Sequence, residues 1–81
     1  MAPTQLQELI SRLTPRQVEI VELLARGCSR RETASILSIS TETVKSHIRK
    51  MCNKVEADNR IQLIVMFVVW KIERENHEEK I

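Results

Sequence analysis

The stretch Ser40–Val55, S-T-E-T-V-K-S-H-I-R-K-M-C-N-K-V, limits the fold more than any other part of the chain. Val44, Ile48, Met51 and Val55 recur at helical spacing and line up as one stripe, which predicts an amphipathic helix over residues 41–55. Lys45, Arg49 and Asn53, with Ser46 and Lys50 beside them, fall away from that stripe. Ser40 suits the N-cap, and Glu42 lies in the first turn, where the helix dipole favours an anion. A helix about 10–12 Å across with such a front fits a DNA major groove about 12 Å wide. Alone, the same pattern also describes an ordinary surface helix with a solvated basic face, so the rest of the chain must decide.

Composition points to a helical chain. Eighty-one residues suffice for one small domain. A single Gly and two Pro leave few tight turns, and long aliphatic, Glu, Lys and Arg side chains dominate, so the fold class is all-α. The net charge of +2 is unevenly spread. Residues 26–60 hold eight basic and four acidic side chains, while the segments on either side are each slightly acidic. The positive charge thus gathers around the central stretch, as a phosphate-facing surface requires. Cys28 and Cys52 lack metal-ligand spacing and read as reduced thiols, with a redox-sensing Cys52 as the alternative. No metal and no cofactor is expected. The longest apolar run, Ile61–Trp70, is about half a membrane span, and no signal peptide opens the chain, so no membrane is expected.

Read in order, the chain is punctuated by helix caps. Thr4 and Gln7 suggest a capping box for a short helix over residues 4–12, with Met1 and Ala2 loose. Thr14-Pro15-Arg16-Gln17 is a stronger start, with Thr14 as N-cap, Pro15 at the first helical position and Gln17 closing the box. Val18, Val21, Leu24 and Ala25 are expected to face inward and Glu19, Glu22 and Arg26 outward, with Gly27 ending the helix at positive φ. Ser29-Arg30-Arg31-Glu32 starts a third, short helix burying Ala34, Ile36 and Leu37. The Ser38-Ile39-Ser40 turn then leads into the basic-fronted helix, and Ile39 is expected to plug the angle between the two. This is the helix-turn-helix arrangement. Asp58, with Asn59 beside it, is expected to cap a last helix over residues 59–75, followed by a charged tail that frays. That helix is apolar on nearly every side from Ile61 to Trp70. Apolar area left in water costs about 25 cal/mol per Å², so a second copy of the chain is expected to cover it, through Val65, Met66 and Val69.

Several of these runs resemble the LuxR-type helix-turn-helix family. They are Leu13-Thr14-Pro15-Arg16-Gln17, Ala25-Arg26-Gly27-Cys28-Ser29, Glu32-Thr33-Ala34, Leu37-Ser38-Ile39-Ser40, Thr43-Val44-Lys45-Ser46-His47 and Lys54. Members supply the C-terminal DNA-binding domains of quorum-sensing regulators and of many bacterial response regulators. The resemblance runs from Leu13 to about Ile64 and implies a four-helix domain, here with an additional short N-terminal helix. The corresponding division is an extension over residues 1–12, the DNA-binding domain over 13–72 and a tail over 73–81. The resemblance implies that Lys45, Ser46 and Arg49 face base edges, that Thr43, Lys50 and the start of the second helix of the domain (Arg30, Arg31) touch phosphates, and that the last helix pairs two subunits. It further implies transcription regulation in a bacterial cytoplasm, at the nucleoid, with RNA polymerase as a further candidate partner.

Three positions depart from the family pattern. Glu56 stands where Gly is frequent, so either it adopts positive φ or the helix ends differently. Arg30 replaces the usual Asn. Most members carry an N-terminal sensor or receiver domain and this sequence starts shortly before Leu13, so it is expected to be either a stand-alone regulator, which Met1 and the extra helix favour, or an excised domain. His47 is expected to be a packing residue. Arg60 can reach phosphate or pair with Glu56 or Asp58. No catalytic constellation or phosphate-cradling Gly-rich loop is present, so no enzyme is expected. The rival readings are a helical protein-interaction module, either an adaptor or an antagonist dimerising with a relative, and a domain like sigma-factor region 4. The leading expectation is a homodimer on an inverted repeat of double-stranded DNA.

Overall fold

The helix boundaries fall where side chains or special backbone conformations satisfy the polar groups that a helix leaves unpaired. In the computed structural model, which describes residues 3–79, five helices follow one another: α1 (Pro3–Ser11), α2 (Pro15–Ala25), α3 (Arg30–Leu37), α4 (Thr41–Val55) and α5 (Arg60–Glu79). The fold is all-helical, with no strand among the described residues. Met1 and Ala2, expected to be loose, lie outside them, as do the last two residues of the tail.

The α2 and α3 caps are reciprocal boxes. Gln17 N donates to Thr14 Oγ1 (3.2 Å) while Thr14 N donates to Gln17 Oε1 (3.1 Å). Glu32 N donates to Ser29 Oγ (3.0 Å) while Ser29 N donates to Glu32 Oε1 (2.8 Å). Two other starts differ from expectation. Thr4 lies inside α1, which begins one residue earlier at Pro3. Asn59, rather than Asp58, caps α5: its Oδ1 accepts from Gln62 N (2.8 Å), while the Asp58 amide is satisfied by the Gln62 side chain. The Asp-Asn pair offers two equivalent caps, and the position of Gln62 selects the second. α5 also continues past residue 75 to Glu79.

The core gathers one stripe from each helix. Leu6, Leu9 and Ile10 of α1 meet Ile20, Val21 and Leu24 of α2, Ala34 of α3, Val44, Met51 and Val55 of α4, and Leu63 and Phe67 of α5. Fully burying Leu63 or Phe67 is worth about 1.5–3 kcal/mol each. In α2 Val21 and Leu24 are buried as expected, but Gln17 and Ile20 join them while Val18 and Ala25 are only half-buried, so the stripe sits at a slightly different phase. The polar Gln17 disguises that phase. Ile36, expected inward, is 58% exposed. α3 is eight residues long and faces its neighbours with Thr33, Ala34 and Leu37, which turns Ile36 outward. Ile39, in the turn between α3 and α4, is half-buried against the core.

α5 resolves into two apolar stripes. Leu63 and Phe67, flanked by Ile64, Met66 and Trp70, face the core. Ile61, Val65, Val69 and Ile72 stand in solvent on another side. α2 is stapled to α5 by Lys71, which donates to the Glu22 carboxylate, so Glu22 is half-buried rather than wet.

Candidate nucleic-acid interface

The turn before α4 is built by a left-handed residue. Ser38 takes φ 56°, Ser38 N donates to Ser35 O (3.3 Å) and Ile39 N to Ala34 O (3.0 Å). These bonds close α3 in the manner of a Schellman motif and reverse the chain within three residues. Ser40 then caps α4: its Oγ accepts from Thr43 N (3.0 Å) and shares a hydrogen bond with Thr43 Oγ1 (2.8 Å). α4 spans the predicted residues 41–55.

The far end of α4 is tied to the helices behind it. Glu56 takes φ 59° and Ala57 N donates to Cys52 O (2.9 Å), so the first of the two alternatives for Glu56 is the observed one. Lys54 Nζ donates to Gln17 Oε1 (2.9 Å), the oxygen that also closes the α2 capping box. Arg12 Nη1 donates to Lys54 O (3.0 Å), one of the carbonyls that α4 leaves unpaired, and Arg12 lies 3.7 Å from Glu56. The basic helix is therefore held at both ends by hydrogen bonds and along its back by Val44, Met51 and Val55, all 0% exposed.

With the back buried, Lys45, Arg49 and Lys50 are exposed on the front and Ser46 is half-buried beside them. Lys45 and Arg49 line an open cleft with Arg30, Ile48 and Arg60. Arg30 is the first residue of α3 and Arg60 the first of α5, so three helices deliver cations to one surface. Arg31, Thr43 and Lys50 are exposed but do not line this cleft. Sequence reasoning left Arg60 among three options; here Glu56 turns toward Arg12, and Arg60 joins the cleft. No local signal marks this, because the approach of the α5 start to α4 is a tertiary contact. The one acid in the first turn of α4, Glu42, lies 3.9 Å from Lys45 Nζ.

Two titratable groups on α4 are shifted by burial. His47 of α4 is half-buried, and burial pushes its pKa down, helped by the charges of Lys50, Arg16 and Lys54. Its Nδ1 is buried without a hydrogen-bond partner. Burial pushes the Cys52 thiol up, away from the reactive thiolate. Among the described residues no group of three or more His, Cys, Asp or Glu is placed to hold a metal ion, and no helix is long and apolar enough to cross a membrane. On α5, Val65 and Val69 are exposed, whereas Met66 is half-buried against the core.

Comparisons with known proteins agree on one family. The family described as bacterial regulatory proteins, luxR family, matches residues 11–67. The nitrate/nitrite response regulator protein NarP of Escherichia coli is 36% identical over 62 residues, which cover 76% of this chain and 29% of that protein. The response regulator protein VraR of Staphylococcus saprophyticus is 39% identical over 61 residues, covering 75% of this chain and 29% of VraR. VraR of Staphylococcus aureus is 40% identical over 58 residues, covering 72% and 28%. The chain thus spans less than a third of the length of these relatives. No solved structure gives a significant match.

Proposed function

The chain belongs to the luxR family of bacterial regulatory proteins, whose helix-turn-helix domains bind DNA and regulate transcription, and from that premise we propose that α4 enters the major groove of duplex DNA. Lys45 and Arg49 read base edges, with Ser46 between them. Lys and Arg donate well to guanine O6 and N7, and each good contact discriminates by about 1–3 kcal/mol. Arg30, Arg31, Thr43 and Lys50 sit where phosphates would pass, and Arg60 joins them; such contacts set register rather than sequence. The observation that carries the reading is the orientation of α4. Its stripe of Val44, Met51 and Val55 is fully buried, which turns Lys45 and Arg49 into the solvent beside two more arginines.

The exposed α5 stripe supports a homodimer. Val65 and Val69 form its centre, with Ile61 and Ile72 extending it. Met66 belongs at most to the edge of such an interface, because the core claims it. A two-fold dimer reads an inverted repeat, with half-sites about one helical turn apart, some 10–10.5 bp. Such a protein acts on the nucleoid in the bacterial cytoplasm.

Selection from a random pool of duplexes with the purified protein tests binding, sequence and symmetry together. The expected outcome is a two-fold-symmetric consensus whose affinity falls steeply with salt. Changing both Lys45 and Arg49 to Ala is expected to abolish selective binding and leave the melting temperature unchanged. Indifference of the selected duplex to this double change would remove α4 from the groove. Sedimentation at tens of micromolar tests the dimer separately, and a monomer would sink it.

A further inference from the structure

Every charged side chain that lines the cleft beside Lys45 is a hydrogen-bond donor. Arg30, Lys45, Arg49 and Arg60 line the cleft, and none of them can accept a hydrogen bond. These four cations favour the acceptors of guanine and have nothing to offer an amino group, and the only hydroxyl between Lys45 and Arg49, that of Ser46, is short and half-buried. Glu42 supplies what the cations lack. It lies in the first turn of α4, its side chain is 85% exposed, and its carboxylate is 3.9 Å from Lys45 Nζ. In helix-turn-helix proteins the N-terminal residues of the groove helix reach the base edges. A carboxylate there can accept from cytosine N4, and it meets a phosphate only with repulsion.

We propose that Glu42 is a specificity-determining residue, accepting from a cytosine amino group beside the base read by Lys45 and penalising any docking in which the start of α4 meets the DNA backbone. This rests on the groove-binding reading above. The pairing with Lys45 serves both tasks. It holds the ammonium on the groove-facing side of the first turn, and it leaves the second carboxylate oxygen for the base. Glu42 therefore lowers affinity for arbitrary duplex and raises the ratio of specific to non-specific binding.

The test uses the whole chain, its selected duplex, that duplex with each base pair changed in turn, and a scrambled duplex, read by fluorescence anisotropy at two salt concentrations. Glu42→Ala is expected to bind the scrambled duplex several-fold tighter. It is also expected to lose about tenfold or more of the discrimination at one C·G pair and to steepen the salt dependence by about one charge. Glu42→Gln is expected to shift the preference at that same pair from cytosine toward adenine, because an amide pairs with adenine N6 and N7. Thermal melts control for folding, and the exposed position predicts little change. Base profiles identical to wild type, with affinities for all duplexes moving in parallel, would overturn the role of Glu42 and leave the groove reading intact. Failure of the wild type to select any sequence would overturn both.

Discussion

The platform of α1, α2 and α5 and the reading pair of α3 and α4 complete their backbones and buried polar groups differently. In the platform, α2 leaves through Gly27 at φ 97°, a conformation that costs glycine little. The buried Gln17 has its Oε1 engaged by both Thr14 and Lys54. In the reading pair, both exits use ordinary residues at positive φ, Ser38 and Glu56. The buried side-chain atoms without a hydrogen-bond partner among the described residues also lie there, Thr33 Oγ1 and His47 Nδ1. Strained backbone and orphaned polar groups persist only where surrounding structure holds them, and they gather at functional surfaces. The platform thus satisfies its exit and its buried amide at little cost, while the reading pair carries backbone strain and orphaned polar atoms.

If so, substitutions of the same kind should have opposite signs in the two regions. The largest effect is expected at Gly27→Ala. An added Cβ meets nothing within 4 Å, so the cost is purely that of forcing positive φ on alanine, about 1–2 kcal/mol. In a domain this small that lowers Tm by roughly 5–10 °C, which calorimetry will show. Next is Thr33→Val. The side chain is 0% exposed and its hydroxyl has no partner, so an isosteric methyl is expected to stabilise the fold by about 1 kcal/mol. A destabilised valine variant would mean that the hydroxyl is satisfied, and the contrast between the two regions would weaken.

Ser38→Gly and Glu56→Gly come third. Relief of positive φ, less the extra freedom glycine gives the unfolded chain, leaves a gain of about 0.5–1 kcal/mol each. Glu56→Gly should gain slightly less, because it also removes the exposed pairing with Arg12. Urea midpoints at unchanged m-value check both. Losses at both positions would show that the side chains contribute more than the backbone strain costs.

The same contrast explains what the sequence could disclose. Caps are local, so Thr14, Ser29, Ser40 and Gly27 were legible from a few neighbouring residues. α4 was legible in full because its apolar and basic faces alternate cleanly. The left-handed turn at Ser38 carried no signal, since serine rarely adopts it, whereas Glu56 was flagged by the glycine that relatives place there. Ile20 escaped because Gln17, a polar residue buried for its hydrogen bonds, interrupts the α2 stripe. Ile36 was misplaced because apolar character alone does not say which side of a short helix meets a neighbour. In α5 an apolar run nearly continuous around the helix hides which side finds the core. Arg60 entered the cleft only through the packing of α5 against α4. Local chemistry was therefore readable, and what depended on contacts between helices was not.

The smallest expected effect separates the two regions by pH. His47, in the reading pair, has its pKa lowered by burial first and by Lys50, Arg16 and Lys54 after it. The folded state then binds fewer protons than the unfolded state once pH falls below the ordinary value of 6.5, so stability drops as pH falls from there toward the lowered value. Glu22, in the platform, has its pKa lowered chiefly by the hydrogen bond from Lys71. Its contribution is present above the ordinary value of 4.5 and fades as pH falls through the folded value. The two windows do not coincide. Urea midpoints measured from pH 7.5 downward should show a first, shallow decline that His47→Gln removes and a second, more acidic one that Glu22→Gln removes. A wild type that shows no first decline would mean that the imidazole finds an acceptor when charged. The reading pair would then hold one orphan fewer than the geometry assigns to it.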